Sequence, residues 1–503
     1  MNRPTEILLS SLLLFLCGLA LFTRENRFPF YYHPDEPGKV RQVQSGEWNY
    51  HHPMLLLGST RLAAGALGIE GPESDPQRLV EVGRWVSASF TAGAAALLMA
   101  ATWLLAGRFA GWTAGVLLLT NHQLFELAHY FKEDTALLFG VAFWFFALVL
   151  YWRRGSWGTA VLVALGAGLA ASGKTLGLFT LPLSLVLVPW RLAKGKRLAA
   201  GILTLAVFLL AFGAINFPAL RELADARASF QRELDLAVGG QGGLTRSIPH
   251  TVYFTALRVN VIFVLWFGMA WYYYRRCWRE RASLSPAEWT VVLFPIAYLL
   301  ILSFAPKTND RYFLPATALF LCAVAMGIAG FREWLRPRLS ARRLRWVSLA
   351  LLVVAVGAQF PYKGMIRYYR AFRSDDTADL VAWLNTHVPA GARVAIDHKV
   401  MIARTGEDDK PHLPRVNAEV VEVDDYETRD ALRKAGVTHL VLSQSVYGRY
   451  RLKSLRPKAD AREEYNRKKA FYDDILSDDP LWERKRNTVI YLHPGLEVYA
   501  LEP

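Results

Sequence analysis

The feature that most constrains this chain is a series of apolar runs, each close to the length that crosses a lipid bilayer. A helix needs about 20 mainly apolar residues to span the hydrocarbon core. We therefore expect a polytopic α-helical membrane protein with about eleven spanning helices. The predicted spans are 7–22, 83–106, 109–128, 134–152, 158–172, 175–190, 198–217, 251–274, 287–305, 312–330 and 346–362.

The distribution of charge predicts how these spans are oriented. The formal net charge is +15 at pH 7, but Lys and Arg are concentrated in short loops between apolar runs, which argues against a nucleic-acid partner. The positive-inside rule puts such loops in the cytoplasm. These loops are 107–109, 151–157, 191–197, 275–281 and 331–345. The alternate loops are then predicted to lie outside, namely 23–82, 129–133, 173–174, 218–250 and 306–311.

The chain after the last predicted span has a different pattern of apolar and polar residues. Short apolar runs typical of strands alternate with segments of helical periodicity, which predicts a small α/β domain over residues 363–503. The predicted helices are "TADLVAWLNTHV", "YETRDALRKAG" and "ADAREEYNRKKAFYDDIL", and the predicted strands are "ARVAI", "THLVLS", "NTVIYL" and "LEVYALE". An odd number of spans places this domain outside the cytoplasm. The two predicted domains are therefore 1–362 and 363–503.

Residues capable of chemistry collect in the loops predicted to lie outside. Charges of both signs at one membrane boundary predict a site for an anionic substrate that is held in the membrane. The candidates are Asp35, Glu36, His51, His52, Lys132, Glu133, Asp134, Lys174, Lys307, Asp310 and Arg311.

The stretch "FPFYYHPDEP" places an acid pair, Asp35 and Glu36, between two prolines directly after the first span. One interpretation is that an acid caps the short helix predicted from "KVRQVQSGEW", with Pro37 in its first turn. The other is that Asp35 acts as a base. Tyr31 and Tyr32 either belong to the aromatic belt at the membrane interface or line a sugar pocket.

The other candidates also have two interpretations each. His52, before Pro53, could bind phosphate or a metal, or precede a helix. His122, Glu126 and His129 share a helical face that could bind a metal or could simply be polar.

Charged residues beside the membrane pose the same choice. Glu133 and Asp134 either form a site or favourably charge the N-terminus of the fourth helix. Lys174 either extends to the membrane surface or neutralises a lipid phosphate. Lys307 and Arg311 could contact phosphate oxygens, for which Arg is well suited.

The order of these features resembles the GT-C membrane glycosyltransferases, within the superfamily of dolichyl-phosphate-mannose protein mannosyltransferases and aminoarabinose transferases. The resemblance extends over nearly the whole chain. It rests on "HPDEP", "HHPMLLL", "YFKEDTALLF", "SGKTLGLFTLPL" and "KTNDRYFLPA", with a C-terminal segment similar to the extracytoplasmic α/β domain of prokaryotic members.

This resemblance implies a polyprenyl-phosphate sugar as donor and a lipid A, polysaccharide or protein hydroxyl as acceptor, with membrane lipids around the protein. It implies Asp35 as base and carries the second-loop acid of the family onto Asp134, beside Glu133. The family's Lys at a helix end matches Lys174, and its His-Pro motif matches His52. Some members bind a divalent metal and others do not, so a metal is left open.

We therefore expect an inverting glycosyltransferase of the plasma or inner membrane. Asp35 and Glu36 would be the catalytic acids, and Glu133 and Asp134 would be the acids of an acceptor or metal site. The donor phosphate would be contacted by Lys174, Lys307, Arg311 and His52. The alternative is a secondary transporter of an anionic or sugar substrate, although transporters place charge nearer the bilayer midplane. A scaffold whose working part is the α/β domain is a third interpretation.

Overall fold

Two structural units make up the protein. The computed structural model describes residues 3–48, 50–239, 244–246, 284–303, 309–359, 364–407, 410, 412–452 and 455–501. The membrane unit comprises Met1–Asn26, Gly38–Val238 and Thr251–Met365. The α/β unit comprises Arg27–Pro37, Gly239–His250 and Ile366–Pro503.

The regular secondary structure described in the membrane unit consists of helices. Its helices, in chain order, are α1 (Arg3–Phe22), α2 (Glu36–Ser45), α3 (Leu55–Ala66), α4 (Pro76–Ala106), α5 (Arg108–Leu119), α6 (His122–Ala128), α7 (Glu133–Arg154), α8 (Trp157–Gly173), α9 (Thr180–Arg191), α10 (Arg197–Ile215), α11 (Phe217–Arg221), α12 (Leu223–Gly239), α13 (Pro286–Ser303), α14 (Leu314–Leu335) and α15 (Ala341–Gly357). The first two residues of α2 and the last of α12 belong to the α/β unit.

Five described helices are long and apolar enough to cross a membrane, and others are shorter apolar helices. The long ones correspond to α1, α4, α7, α10 and α14. This pattern confirms a polytopic helical fold. The predicted span 251–274 lies outside the described residues.

Several predicted boundaries are wrong because local signals interrupt the apolar runs. The run 109–128 divides into α5 and α6 at Asn121, whose side chain accepts hydrogen bonds from the Gln123 and Leu124 amides. A 3₁₀ turn, Thr175–Phe179, precedes α9. The segment 218–250 is predicted as a loop outside the membrane, and its described residues include most of α11 and all of α12.

Small residues allow α7 and α8 to pack backbone against backbone. A Cβ atom added at Gly140 of α7 would lie only 2.3 Å from the Cα of Ala170 on α8. No side chain fits in that space, so the two helices approach more closely than larger residues permit. This contact fixes the end of α8 beside the start of α7.

The α/β unit is built on a mixed five-stranded sheet in the order β3-β2-β4-β7-β6. β2 is parallel to β3 and β4, whereas β7 is antiparallel to β4 and β6. β1 and β5 form a separate antiparallel pair. The strands are β1 (Leu244–Arg246), β2 (Arg393–Ile396), β3 (Glu419–Glu422), β4 (Val437–Ser443), β5 (Leu455–Pro457), β6 (Trp482–Arg484) and β7 (Leu496–Ala500). The helices are α16 (Met365–Ala371), whose first residue belongs to the membrane unit, α17 (Asp376–His387), α18 (Arg429–Lys434), α19 (Gln444–Arg451) and α20 (Arg462–Ile475).

Alternate residues of each strand face opposite sides of the sheet. On β4, Leu440 and Leu442 pack in one apolar cluster with α18, α19 and α20, whereas Val441 packs in the other with α17. The sheet is therefore covered by helices on both faces. This confirms the predicted C-terminal α/β domain.

One predicted strand is wrong. "NTVIYL" forms a turn in which the amides of Leu492 and His493 donate to the carbonyl of Val489. Val489 and Leu492 are buried, so this segment is apolar because its turn packs into the core. The strand that pairs with β7 lies earlier, at Trp482–Arg484.

Candidate functional site

Two adjacent acids, Glu133 and Asp134, begin α7 and are buried. Their position favours negative charge because the amide groups of a first helical turn carry partial positive charge. Each acid also forms an ion pair with a residue distant in sequence. The start of α7 is therefore a buried charge cluster as well as a helix terminus.

Glu133 pairs with Lys39 of α2, whose Nζ lies 2.9 Å from Oε1. The same ammonium donates to the Phe131 carbonyl at 3.0 Å and lies over the Phe131 ring. Lys39 is itself buried. This pair fixes α2 against the loop that precedes α7.

Asp134 is shared by two cations. Lys174 Nζ lies 2.6 Å from Oδ1, and Arg311 Nε lies 3.8 Å from Oδ2. Both cations also lie over the ring of Tyr312. The structure thus brings together Asp134, Lys174 and Arg311, which the sequence placed in three separate loops. Lys174 is buried in an ion pair, so the interpretation that it extends freely to the membrane surface is wrong.

Gly173 explains how Lys174 reaches Asp134. A Cβ atom added at Gly173 would lie 2.5 Å from the Leu137 amide nitrogen. The last residue of α8 can therefore approach the first turn of α7 only because it is glycine. Lys174, the next residue, has extended backbone and directs its side chain to the acid.

Two hydrogen bonds of the Asn216 side chain hold the loop that contains His52. The Asn216 side chain accepts from the Met54 amide at 2.9 Å and donates to Ser172 Oγ at 2.9 Å. Asn216 therefore joins this loop to Ser172 near the end of α8, two residues before Lys174. Burial lowers the pKa of the His52 imidazole, with nearby Glu133 acting in the opposite direction.

A further cation, Lys132, immediately precedes α7 and is buried. Burial lowers its pKa to about 7, and the neighbouring charge of Arg311 acts in the same direction. An anion placed in this cluster would oppose both effects and favour the charged form of Lys132.

The acid pair Asp35 and Glu36 lies at the start of α2, which begins at Glu36. Glu36 is buried and Asp35 is partly exposed. Glu36 and Lys39 stand at i and i+3 and so share one face of α2. Asp35 and Glu36 belong to the segment Arg27–Pro37, which groups with the α/β unit.

The remaining predicted residues have varied outcomes. Lys307 lies outside the described residues. A metal site at His122, Glu126 and His129 is not supported, because both ring nitrogens of His129 lie within hydrogen-bond distance of backbone carbonyls, those of Phe125 and Arg24. Tyr32 is 2% exposed and donates to Asp375 in the α/β unit, so it is not part of an aromatic belt.

At the start of α7, Lys39 and Lys174 each bond one oxygen of an acid, whereas Glu133 Oε2 and Asp134 Oδ2 are buried and accept no hydrogen bond. Such carboxylate oxygens could bind a divalent cation. Among the described residues, donor atoms within 4.8 Å of one another occur at His398, Glu422 and Asp424 of the α/β unit. Such donors can bind a divalent cation. Here Arg404 pairs with Glu422 and Lys468 with Asp424.

Sequence reasoning missed Lys39, Asn216 and Gly173. Lys39 could have been found from its i, i+3 spacing to Glu36 on the predicted short helix. Nothing local distinguishes Asn216 or Gly173, since their roles depend on which helices become neighbours.

An apolar cavity of about 640 Å³ lies between α9 and α13 in the membrane unit. Its lining includes Phe179, Trp190, Trp289, Leu293 and Tyr298. Tyr298 stacks edge-on against Phe179, with ring centroids 5.6 Å apart. It also lies close enough to Asp134 for the two to interact electrostatically. Tyr298 therefore belongs both to the wall of the cavity and to the surroundings of Asp134.

Part of the chain matches the model of a known protein family. Residues 71–228 match the family model described as dolichyl-phosphate-mannose-protein mannosyltransferase. No curated protein sequence matches the chain.

Solved structures extend the similarity to most of the chain. The oligosaccharyltransferase AglB from Archaeoglobus fulgidus, in complex with an inhibitory peptide and a dolichol-phosphate, matches at 11% identity over 86% of this chain and 69% of that one, with a TM-score of 0.50. The same organism's enzyme tethered to an acceptor peptide matches at 14% identity over 88% and 70%, also with a TM-score of 0.50. ArnT from Cupriavidus metallidurans, bound to undecaprenyl phosphate, matches at 13% identity over 98% and 97%, with a TM-score of 0.48.

At these identities the likeness to solved structures is a likeness of fold. It combines a helical membrane unit with a C-terminal α/β sheet. The predicted resemblance is confirmed at that level: the chain has the fold of the GT-C membrane glycosyltransferases, and residues 71–228 match the mannosyltransferase family model within it.

Proposed function

We propose that this protein transfers a sugar from a polyprenyl-phosphate sugar to an acceptor hydroxyl at the extracytoplasmic face of a membrane. The observation that carries the proposal is that two cations, Lys174 and Arg311, converge on one buried carboxylate, Asp134. Cations held together in this way suit an anion with several negative oxygens, such as a phosphate.

The apolar cavity between α9 and α13 supports a lipid substrate. A substrate with a phosphate head and an isoprenoid tail would place its head at the cluster and its tail in this cavity. The family model's description names a dolichyl-phosphate mannose, and the AglB structure contains a dolichol-phosphate. We extend that substrate class to this chain.

In the proposed reaction Asp35 takes the proton of the acceptor hydroxyl while the hydroxyl oxygen attacks the anomeric carbon. The bond from that carbon to the phosphate oxygen breaks, and polyprenyl phosphate leaves with the electron pair. Direct displacement inverts the anomeric centre. Glu36 and Asp134 position the reacting groups, with Glu133 holding the loop before α7 through Lys39.

Charge on the leaving phosphate is stabilised by cations fixed in advance. We assign this role to Lys174 and Arg311, with His52 and Lys307 as further contacts. Arg311 can donate two parallel hydrogen bonds to phosphate oxygens. Because Asp134 holds both Lys174 and Arg311, it positions the phosphate site without touching the donor.

The test is turnover by the purified full-length protein, with a panel of labelled polyprenyl-phosphate sugars and three acceptor classes: lipid A, polysaccharide and hydroxyl-bearing peptide. We expect one donor to be consumed with release of polyprenyl phosphate. Asp35→Asn should lower kcat about 10²- to 10⁴-fold, the range for loss of a general base.

The matched control is Glu47→Gln, which neutralises an exposed carboxylate just after α2 and should leave turnover unchanged. Wild-type turnover retained in well-folded Asp35→Asn protein would refute the assigned base. Absence of turnover with every donor, together with donor-independent uptake of a sugar or anion into vesicles, would favour a transporter instead.

A further inference from the structure

The segment that carries the acid pair is a structural part of the α/β unit. Residues Arg27–Pro37 follow α1 in the chain, yet they group with Ile366–Pro503. Tyr32 and its partner Asp375 are 343 positions apart in sequence. A segment of turns and bends such as this one is held in one conformation only by contacts that offset its conformational entropy.

Tyr32 provides the polar contact. Its hydroxyl donates to Oδ2 of Asp375, and its side chain is buried. The other oxygen of Asp375 accepts from the amides of Thr377 and Ala378, and so caps the N-terminus of α17. One carboxylate therefore joins the acid-bearing segment to the first turn of a helix in the α/β unit.

Aromatic contacts fix the same segment on either side of Tyr32. Phe28 packs against Phe372, with ring centroids 5.5 Å apart. His33 packs against Tyr491 at 4.4 Å. Such pairs contribute about 0.5–1.5 kcal/mol each beyond the burial of their area. The aromatic run in "FPFYYHP" is thus explained by anchoring within the α/β unit.

His33 transmits this anchoring to the acids. Its Nδ1 accepts the Asp35 amide proton at 3.2 Å, and its carbonyl accepts the Glu36 amide proton at 3.0 Å. His33 is 1% exposed. The backbone of both acids is therefore set by a side chain that is itself buried against Tyr491.

We propose that the α/β unit positions the acid pair for transfer, with Tyr32, His33 and Asp375 as positioning residues. The proposal rests on the function assigned to Asp35 above. It gives the α/β unit a direct part in turnover: it holds the base in the orientation that reaction requires. A displacement of about 1 Å in such a group can slow a reaction 10²-fold.

The experiment compares full-length Tyr32→Phe with wild type by hydrogen-exchange mass spectrometry and by kinetics. Tyr32→Phe removes one hydroxyl and keeps the buried ring, so folding should be preserved. We expect amide exchange in peptides covering 27–37 to rise at least about 10-fold. We expect kcat to fall about 10- to 100-fold while the KM for donor stays within about two-fold, since the phosphate contacts are untouched.

The matched control is Tyr447→Phe, which removes a tyrosine–carboxylate hydrogen bond of the same kind, to Glu497, within the α/β unit. It should alter neither exchange in 27–37 nor kcat. Asp375→Asn retains an oxygen for capping α17 and tests the other side of the bond. The double variant with Tyr32→Phe should be no slower than the slower single variant.

The outcomes separate this proposal from the proposed function. Unchanged exchange in 27–37 would show that the hydrogen bond does not anchor the segment. Raised exchange with unchanged kcat would overturn the positioning role. A third outcome is raised exchange in Tyr32→Phe together with full activity of Asp35→Asn. It would show that the hydrogen bond anchors the segment but that Asp35 is not the base. The positioning of a catalytic group would then be overturned.

Discussion

Lys174 Nζ lies 2.6 Å from Asp134 Oδ1, and both side chains are buried although 40 positions separate them in sequence. Removing one partner of a buried ion pair leaves the other charge without compensation and typically destabilises a protein by about 3–5 kcal/mol. Replacing both partners together avoids that penalty. Comparing the single variants with the double variant therefore separates the contribution of this pair to stability from its contribution to activity.

We expect Lys174→Met and Asp134→Asn each to lower the melting temperature of the detergent-solubilised protein. The double variant should recover much of that loss, yet it should remain at least about 100-fold less active, because removing an electrostatic stabiliser costs about that factor or more. Thermal unfolding and turnover measured on the same samples decide the matter. Activity that recovers along with stability would mean that the pair is structural only.

Gly173 provides a test of the close approach between α7 and α8. Gly173→Ala places a methyl group 2.5 Å from the Leu137 amide nitrogen. The helices must then separate, at about 1–3 kcal/mol of stability, and Lys174 should move away from Asp134. Gly158→Ala in the same helix is the control, since nothing lies within 4 Å of its added Cβ. Equal melting temperatures and activities for the two variants would contradict the packing described.

The apolar cavity predicts selectivity for the length of the donor chain. Ala297→Phe adds a ring to the wall of the cavity. We expect the KM for a long polyprenyl-phosphate sugar to rise about 10-fold or more, through loss of about 1.4 kcal/mol or more of apolar contact. A donor with a short isoprenoid chain should be little affected. An equal effect on both donors would place the lipid tail elsewhere.

Asp397 predicts a pH dependence in the α/β unit. This residue is buried at the end of β2, where its carboxylate accepts from the Ser443 amide and the Tyr472 hydroxyl. Burial raises its pKa from 3.8 to about 7. A carboxyl with a raised folded pKa contributes stability that is complete below pH 3.8 and is lost as pH rises through about 7.

The side chain of Asn in Asp397→Asn cannot ionise, so the variant should not lose stability as pH rises through about 7. At pH 8 we expect the amides of β2 and β4 to be more protected from hydrogen exchange in the variant than in wild type, by on the order of a few kcal/mol. The difference should shrink as pH is lowered towards 5. Asp479→Asn, an exposed acid of the same unit, serves as control. A difference independent of pH would exclude the assigned titration.

The predicted orientation is tested by labelling single cysteines in a background without Cys17, Cys277 and Cys322. Asp479→Cys lies in the α/β unit and Arg154→Cys in a basic loop predicted to be cytoplasmic, and both positions are exposed. A membrane-impermeant maleimide should label Asp479→Cys in intact cells and Arg154→Cys only after permeabilisation. The reverse pattern would invert the topology and move the proposed site to the other face.

Much of the fold was predictable because hydrophobic patterning is local. The positions of α4, α7, α8 and α14 follow from the length of their apolar runs. The strands β2 and β4 follow from short apolar runs next to helical segments. Interruptions were harder to predict, since Asn121 ends an apolar run by capping the next helix with its own side chain.

The sequence alone determined that the chain crosses a membrane, that it has a C-terminal α/β domain, and that acids and cations collect in alternate loops. These conclusions depend on residues close together in the chain. Only the tertiary structure decided that Lys174 and Arg311 share Asp134 and that Tyr32 joins Asp375. Such pairings depend on which helices become neighbours and on how closely a glycine lets them approach. Local sequence patterns specify neither the neighbours nor the distance between them.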